Sequence, residues 1–183
     1  MSMSDASIPV FEIGLNALAA LLDKAEAYAE AKRIDPAALL NARLFPDMFA
    51  FTRQVQSACD QAKNAAARLA GVDPPGFEDN EKTFAELKAR IAKTSAFLKT
   101  LDARRVDASA DREITFPLGP RKGHMRGADY LNHFACQRGF DSHHPLHPAS
   151  HVIARSCDTL TDSTHGIHQF LQVMIAEIRS HRQ

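Results

Sequence analysis

All nine histidines of this 183-residue chain lie from His124 onward, and five fall between His133 and His151. Histidine is the usual transition-metal ligand and the side chain that carries protons near neutral pH. The first 123 residues contain none, so histidine chemistry belongs to the last third. His133, beside Phe134 on an expected helix, is the candidate metal ligand; it needs two or three partners around one ion. The alternative is a half-buried histidine hydrogen-bonded to a carboxylate or carbonyl. His143, His144, His147 and His151 have spacings that suit a helical metal face. Pro145 and Pro148 interrupt that helix, however, so an exposed loop is expected. His165 and His168 flank Gly166 and are expected to face solvent. Asp47 and Gln54 are polar groups that can line a cavity, or act as a helix cap and a surface residue. Cys59 beside Asp60 suggests an activated thiol, but its apolar helical neighbours predict a packed one. The sequence has no Ser–His–Asp order, phosphate loop or nucleotide fingerprint.

The bulk composition excludes several partners. Lysine plus arginine number 22, as do aspartate plus glutamate. There is no basic excess to hold nucleic acid. The three cysteines, Cys59, Cys136 and Cys157, are an odd set without CxxC spacing. They read as free thiols in a reducing compartment. No secretion signal is visible at the N-terminus, and no apolar run is expected to span a membrane. A cytoplasmic protein of one domain, residues 1–183, follows as the expectation.

Periodicity supplies the elements that must position these residues. From Ile8 a helical stripe runs through Phe11, Leu15, Leu18, Leu22 and Ala25, with Pro9 in the first turn. Asp35-Pro36 starts a short piece, Ala37–Leu44. Pro46-Asp47 opens a longer helix carrying Met48, Phe51, Val55, Ala58, Ala62, Ala65, Ala66 and Leu69, and Gly71 stops it. Its alanines predict close helix–helix approach. After the Asp73-Pro74-Pro75-Gly76 loop, Asn80 or Thr83 caps a helix with Phe84, Leu87, Ile91, Ser95 and Leu98 inward. Residues 112–118 alternate as a strand, Gly119–Gly123 turn, and 124–126 return. A fourth helix starts at Gly127-Ala128-Asp129 and passes Tyr130, Leu131, Phe134 and Ala135. A last stripe, Ile167, Phe170, Leu171, Met174, Ile175 and Ile178, predicts a helix over Asp162–Arg179.

Several stretches resemble a bacterial family of uncharacterised proteins, the domain of unknown function DUF1993. They include Asp5-Ala6-Ser7-Ile8-Pro9-Val10-Phe11, Leu40-Asn41-Ala42-Arg43-Leu44 and Pro46-Asp47-Met48-Phe49. Arg53-Gln54-Val55-Gln56, Ala58-Cys59-Asp60, Phe77-Glu78-Asp79 and Glu113-Ile114-Thr115-Phe116-Pro117 continue the series. Asp129-Tyr130-Leu131-x-His133-Phe134 closes it. The resemblance covers about residues 5–135 and implies a branch of the DinB/YfiT-like four-helix bundles. Many of those hold a divalent metal with three histidines, and some are thiol-linked transferases or hydrolases. This chain departs from that pattern twice. Phe45–Gly71 contains no histidine to serve as the first ligand, and Ser142 or a neighbour stands where a second fourth-helix histidine belongs. A three-histidine site is therefore not carried over.

Residues 136–183 leave the family pattern altogether. Back-translation in shifted frames restores family-like segments near 135–139 and 143–150, so a slip of the coding frame accounts for the histidine run. The stripe at 167–178 argues for a genuine helix instead. The expected fold is all-α, a DinB-like four-helix bundle with a short β-hairpin before the fourth helix and a divergent C-terminal helix. Three functional readings stand. One is a DinB-like bundle with a degraded divalent-metal site at His133. Another is a non-catalytic bundle that binds a small molecule or forms a homodimer. The last is the non-functional product of a disrupted gene. Whether the chain is an enzyme stays open.

Overall fold

The computed structural model describes residues 2–43, 48–118 and 120–135. Helix α1 spans Met3–Lys32, α2 Pro36–Leu40, α3 Phe51–Ala70, α4 Phe84–Lys99 and α5 Ala103–Asp107. Strands β1 (Glu113–Leu118) and β2 (Arg121–Arg126) form an antiparallel hairpin, in which Thr115 pairs with His124 and Phe116 with Gly123. A single turn, α6 (Gly127–Asp129), passes into a π-helical stretch, Tyr130–Ala135.

Helix α1 begins earlier than its apolar stripe. Ser2 and Asp5 form a reciprocal capping box, which satisfies amide groups that the first turn leaves without partners. Pro9 therefore lies inside the helix and not in its first turn. The helix also continues through the charged stretch, because Ala25 and Ala29 still face the core at 2 % exposure each. It ends at Arg33, which takes the left-handed conformation at φ 53°. Between Ser2 and Asp23 only Asp5 and Glu12 carry charge. As a result α1 meets the length and composition of a membrane span, with a mean hydropathy of 1.4 in its most apolar window. The expectation that no run would do so is corrected. Leu15, Leu22, Ala25 and Ala29 of this helix nonetheless lie in a protein core with α3 and α4.

Three other boundaries move. Helix α2 stops at Leu40, and the segment expected to open α3 at Pro46-Asp47 lies outside the described residues. Helix α3 begins at Phe51, after Ala50, without a side-chain cap. Thr83, not Asn80, caps α4 through a second capping box with Glu86. The short helix α5 was not legible from periodicity; Asp102 caps it by accepting from the amide of Arg104 at 2.9 Å.

Helix α3 is shared by two cores. Val55, Cys59, Ala62 and Ala66 pack with α1 and α4. Ala65, Leu69 and Ala70 pack with Val106, Ile114, Phe116, Tyr130, Leu131 and Ala135. Ala62, Ala65, Ala66 and Ala67 are buried as their pattern predicts, and small side chains let neighbouring elements approach closely on both sides. The hairpin sits tight on this second core. A Cβ on Gly127 would lie 2.0 Å from the backbone oxygen of Ser109, so only glycine fits there. The π geometry from Tyr130 replaces the expected α-helix. Along it Tyr130, Leu131 and Ala135 are buried, and Asn132 and His133 are exposed.

Candidate functional site

The densest polar constellation among the described residues joins α3, the 72–83 segment and α4. Its centre is Arg90, only 2 % exposed. Nη2 of Arg90 lies 3.0 Å from Asp60 and 2.9 Å from Asp79, and Nη1 lies 2.9 Å from Glu81. Nη1 also donates to the backbone oxygen of Glu78 at 3.0 Å. A guanidinium presents five N–H donors in a fixed fork, so one buried arginine can bind groups from several segments. Sequence periodicity put Ser95 on the inward face of α4. Arg90 and Thr94 occupy that face more fully, and no apolar pattern would have picked out an arginine.

The surrounding charges balance. Lys63 pairs with Asp60 at 3.0 Å, and Arg53 pairs with Asp79. Gln56 donates to Glu81 at 2.8 Å. Phe77 is clasped by both cations, 4.1 Å from Lys63 Nζ and 5.4 Å from Arg90 Cζ. An aromatic face attracts such cations electrostatically. Nε of Arg90 is buried without a hydrogen-bond partner, and the nearby Phe77 ring softens that cost. Burial raises the Glu81 carboxyl pKa, but hydrogen bonds from Arg90, its own backbone and Gln56 outweigh it and hold the value below the usual 4.5.

Cys59 is wholly buried and free. Burial pushes its thiol up to about 11, against a smaller opposing hydrogen bond to Thr94 and the nearby charge of Arg90. A thiol so far from ionisation at neutral pH is a packed side chain and a poor nucleophile, as its neighbours predict.

The metal candidates are dispersed. His133 is exposed on the π-helical stretch and does not turn into the bundle. His124, on β2, faces Glu113 at 2.8 Å and Thr115 at 3.2 Å on the exposed hairpin face. Gln54 donates to the backbone oxygen of Phe49 at 2.8 Å, which fixes the entry to α3. Asp47, His143, His144, His147, His151, His165 and His168 lie outside the described residues. Among the described residues no three histidine, cysteine, aspartate or glutamate side chains are grouped to hold a metal ion. Asp60, Asp79 and Glu81 do converge, but on guanidinium and ammonium groups. These acids are thus engaged by organic cations and not left open to a metal ion.

Two concavities open on this framework. One, about 330 Å³, lies between the 72–83 segment and α4 and is lined by acids and bases alike, among them Glu81, Glu86, Arg90 and Lys93. The other, about 470 Å³, lies between the end of α3 and the hairpin and includes Arg68, Arg121 and Lys122.

Helices α1, α3 and α4 packed around an apolar core, with a hairpin leading into the next helical turn, define a DinB-like helical bundle. The crystal structure of a DinB family member protein from Shewanella denitrificans is similar over 86 % of this chain and 85 % of that chain. Its TM-score is 0.70 at 32 % sequence identity. The chain belongs to the family described as a domain of unknown function, DUF1993, whose model matches residues 3–140. No curated protein matches it.

Proposed function

We propose that this chain works as a non-catalytic DinB-like bundle that binds a small molecule, in the cytoplasm of a bacterial cell. The observation that carries the non-metal side of the reading is the Arg90 knot, and the hollows beside the framework support the small-molecule side. The converging carboxylates are committed to fixed organic cations, and their charge is neutralised within the fold. A metal centre needs ligands left open to the ion. Here Asp60, Asp79 and Glu81 serve to tie α3, the 72–83 segment and α4 together. The cytoplasmic assignment rests on the cysteines, of which Cys59 is a free thiol.

A second reading gives His133 to a divalent cation. It is supported by the exposed position of that imidazole and by the likeness to a DinB family protein. One experiment separates the two. Metal content is measured on protein purified without added metal, and melting is followed with and without chelator. The binding-bundle reading expects substoichiometric metal and a melting temperature unmoved by chelator. One tightly held ion per chain, lost in His133→Ala, would overturn it in favour of the metal reading.

A further inference from the structure

We infer that the concavity between α3 and the hairpin is a binding site for a small carboxylate with an apolar body, such as an aryl or branched acyl acid. The inference deepens the binding-bundle reading by naming a ligand class. The hollow is an open surface concavity of about 470 Å³, a volume that admits a small molecule. Three of its lining side chains are cations, Arg68, Arg121 and Lys122, and none is a carboxylate. The rest of the lining is Thr115, Pro117 and Pro120, with the core residue Phe116, 2 % exposed, at its floor.

Several other cations of the framework are committed within the fold. Arg53, Lys63, Lys88, Arg90 and Arg126 form ion pairs. Arg105 and Arg112 donate to backbone oxygens at the end of α3, on Gly71, Arg68 and Leu69. Among the described residues, Arg68, Arg121 and Lys122 have no acidic partner. In a chain of zero formal net charge, three such cations around one hollow create a local positive field that favours an anion.

The site is also partly pre-organised. Arg68 is half-buried in the last turn of α3, and its Nη1 donates to the Tyr130 hydroxyl at 3.1 Å. That bond fixes the guanidinium and leaves its remaining donors for a ligand. A planar carboxylate matches the guanidinium fork with two parallel hydrogen bonds. The apolar part of the lining then favours an acid with a hydrophobic body over a bare oxyanion. Phe116 is held in place across the hairpin, since Gly123 leaves room for its ring: a Cβ there would meet it at 2.5 Å.

The test uses the full chain and three probes: benzoate, its neutral isostere benzamide, and inorganic phosphate, each titrated by protein-observed NMR. Saturable benzoate shifts are expected on the hairpin and the end of α3. Benzamide and phosphate should each bind at least about 10-fold more weakly, a factor equal to 1.4 kcal/mol. Arg68→Gln should weaken benzoate by about the same factor. Because Arg68 also holds Tyr130, the exposed double variant Arg121→Gln with Lys122→Gln provides an independent check and should weaken benzoate several-fold. Lys99→Gln, away from the hollow, should leave binding unchanged. The proposal is overturned if benzoate does not saturate, if benzamide binds as well, or if phosphate matches it. Unchanged benzoate affinity in the hairpin double variant also overturns it. These outcomes are independent of the chelator experiment, so failure of the ligand class and failure of the binding-bundle reading can be told apart.

Discussion

The two ends of α3 handle charge in opposite ways. Toward its N-terminal half, Arg53, Asp60 and Lys63 join a network in which cations and carboxylates answer one another around Arg90. At its C-terminal end, Arg68 meets a hydroxyl and two further cations across a hollow without a carboxylate in its lining. The first arrangement completes itself inside the fold and so points to architecture. The second is completed only by something from outside. Density of charged residues is therefore a poor guide to a binding site here. What separates the two regions is whether each buried or half-buried charge already has its partner.

The sharpest way to break that contrast is to remove the centre of the first region. Arg90→Leu should cost roughly 3–5 kcal/mol, because it leaves Asp60, Asp79 and Glu81 facing one another with too few cations. Urea unfolding measures it; a loss below about 1 kcal/mol would mean the knot is ornamental. Gly127→Ala probes the close fit where the hairpin passes into α6, against Ser109. The new methyl meets backbone, so a loss of about 1–3 kcal/mol is expected as a lowered melting temperature.

Acid provides a gentler test. The folded-state pKa of Glu81 lies below its ordinary 4.5. Its stabilisation is therefore complete above that value and is lost as pH falls through the lower, folded one. Melting temperature should drop as pH is lowered from neutral to about 3, and drop less steeply in Glu81→Gln. Equal slopes in the two proteins would remove Glu81 from the account. The smallest effect is expected at the other end: Arg121→Gln with Lys122→Gln should change stability by less than about 0.5 kcal/mol, since no internal partner is lost. A large loss there would show those cations to be structural after all, and would erase the difference between the two regions.

Much of the scaffold was readable from local signals, for local reasons. The alanine-rich stripe of α3 and its stop at Gly71 follow from helical periodicity and from the left-handed conformation that glycine adopts there, φ 66°. The alternation of residues 113–118 and the turn residues after it announce a hairpin. The packed state of Cys59 was legible from the apolar positions around it. The early start of α1 was missed because an apolar stripe locates a buried face, not the cap that begins the helix. The π-helical stretch was missed because its hydrogen-bond pattern depends on which residues α3 and the hairpin bury. An inward His133 follows only from the metal-ligand reading; the stripe of Tyr130, Leu131 and Ala135 leaves it on the exposed side.

The sequence by itself determined the runs of α1, α3 and α4, the hairpin and, through its ordered motifs, the family, since periodicity, caps and glycine stops act over a few residues. Only the tertiary structure decided which charges are spent. Asp60, Asp79, Glu81 and Arg90 come from three separate segments, and Arg68 lies more than forty residues from the hairpin cations it joins. Coulomb attraction and hydrogen bonding depend on distances of a few ångströms, which folding creates between residues that no local pattern connects.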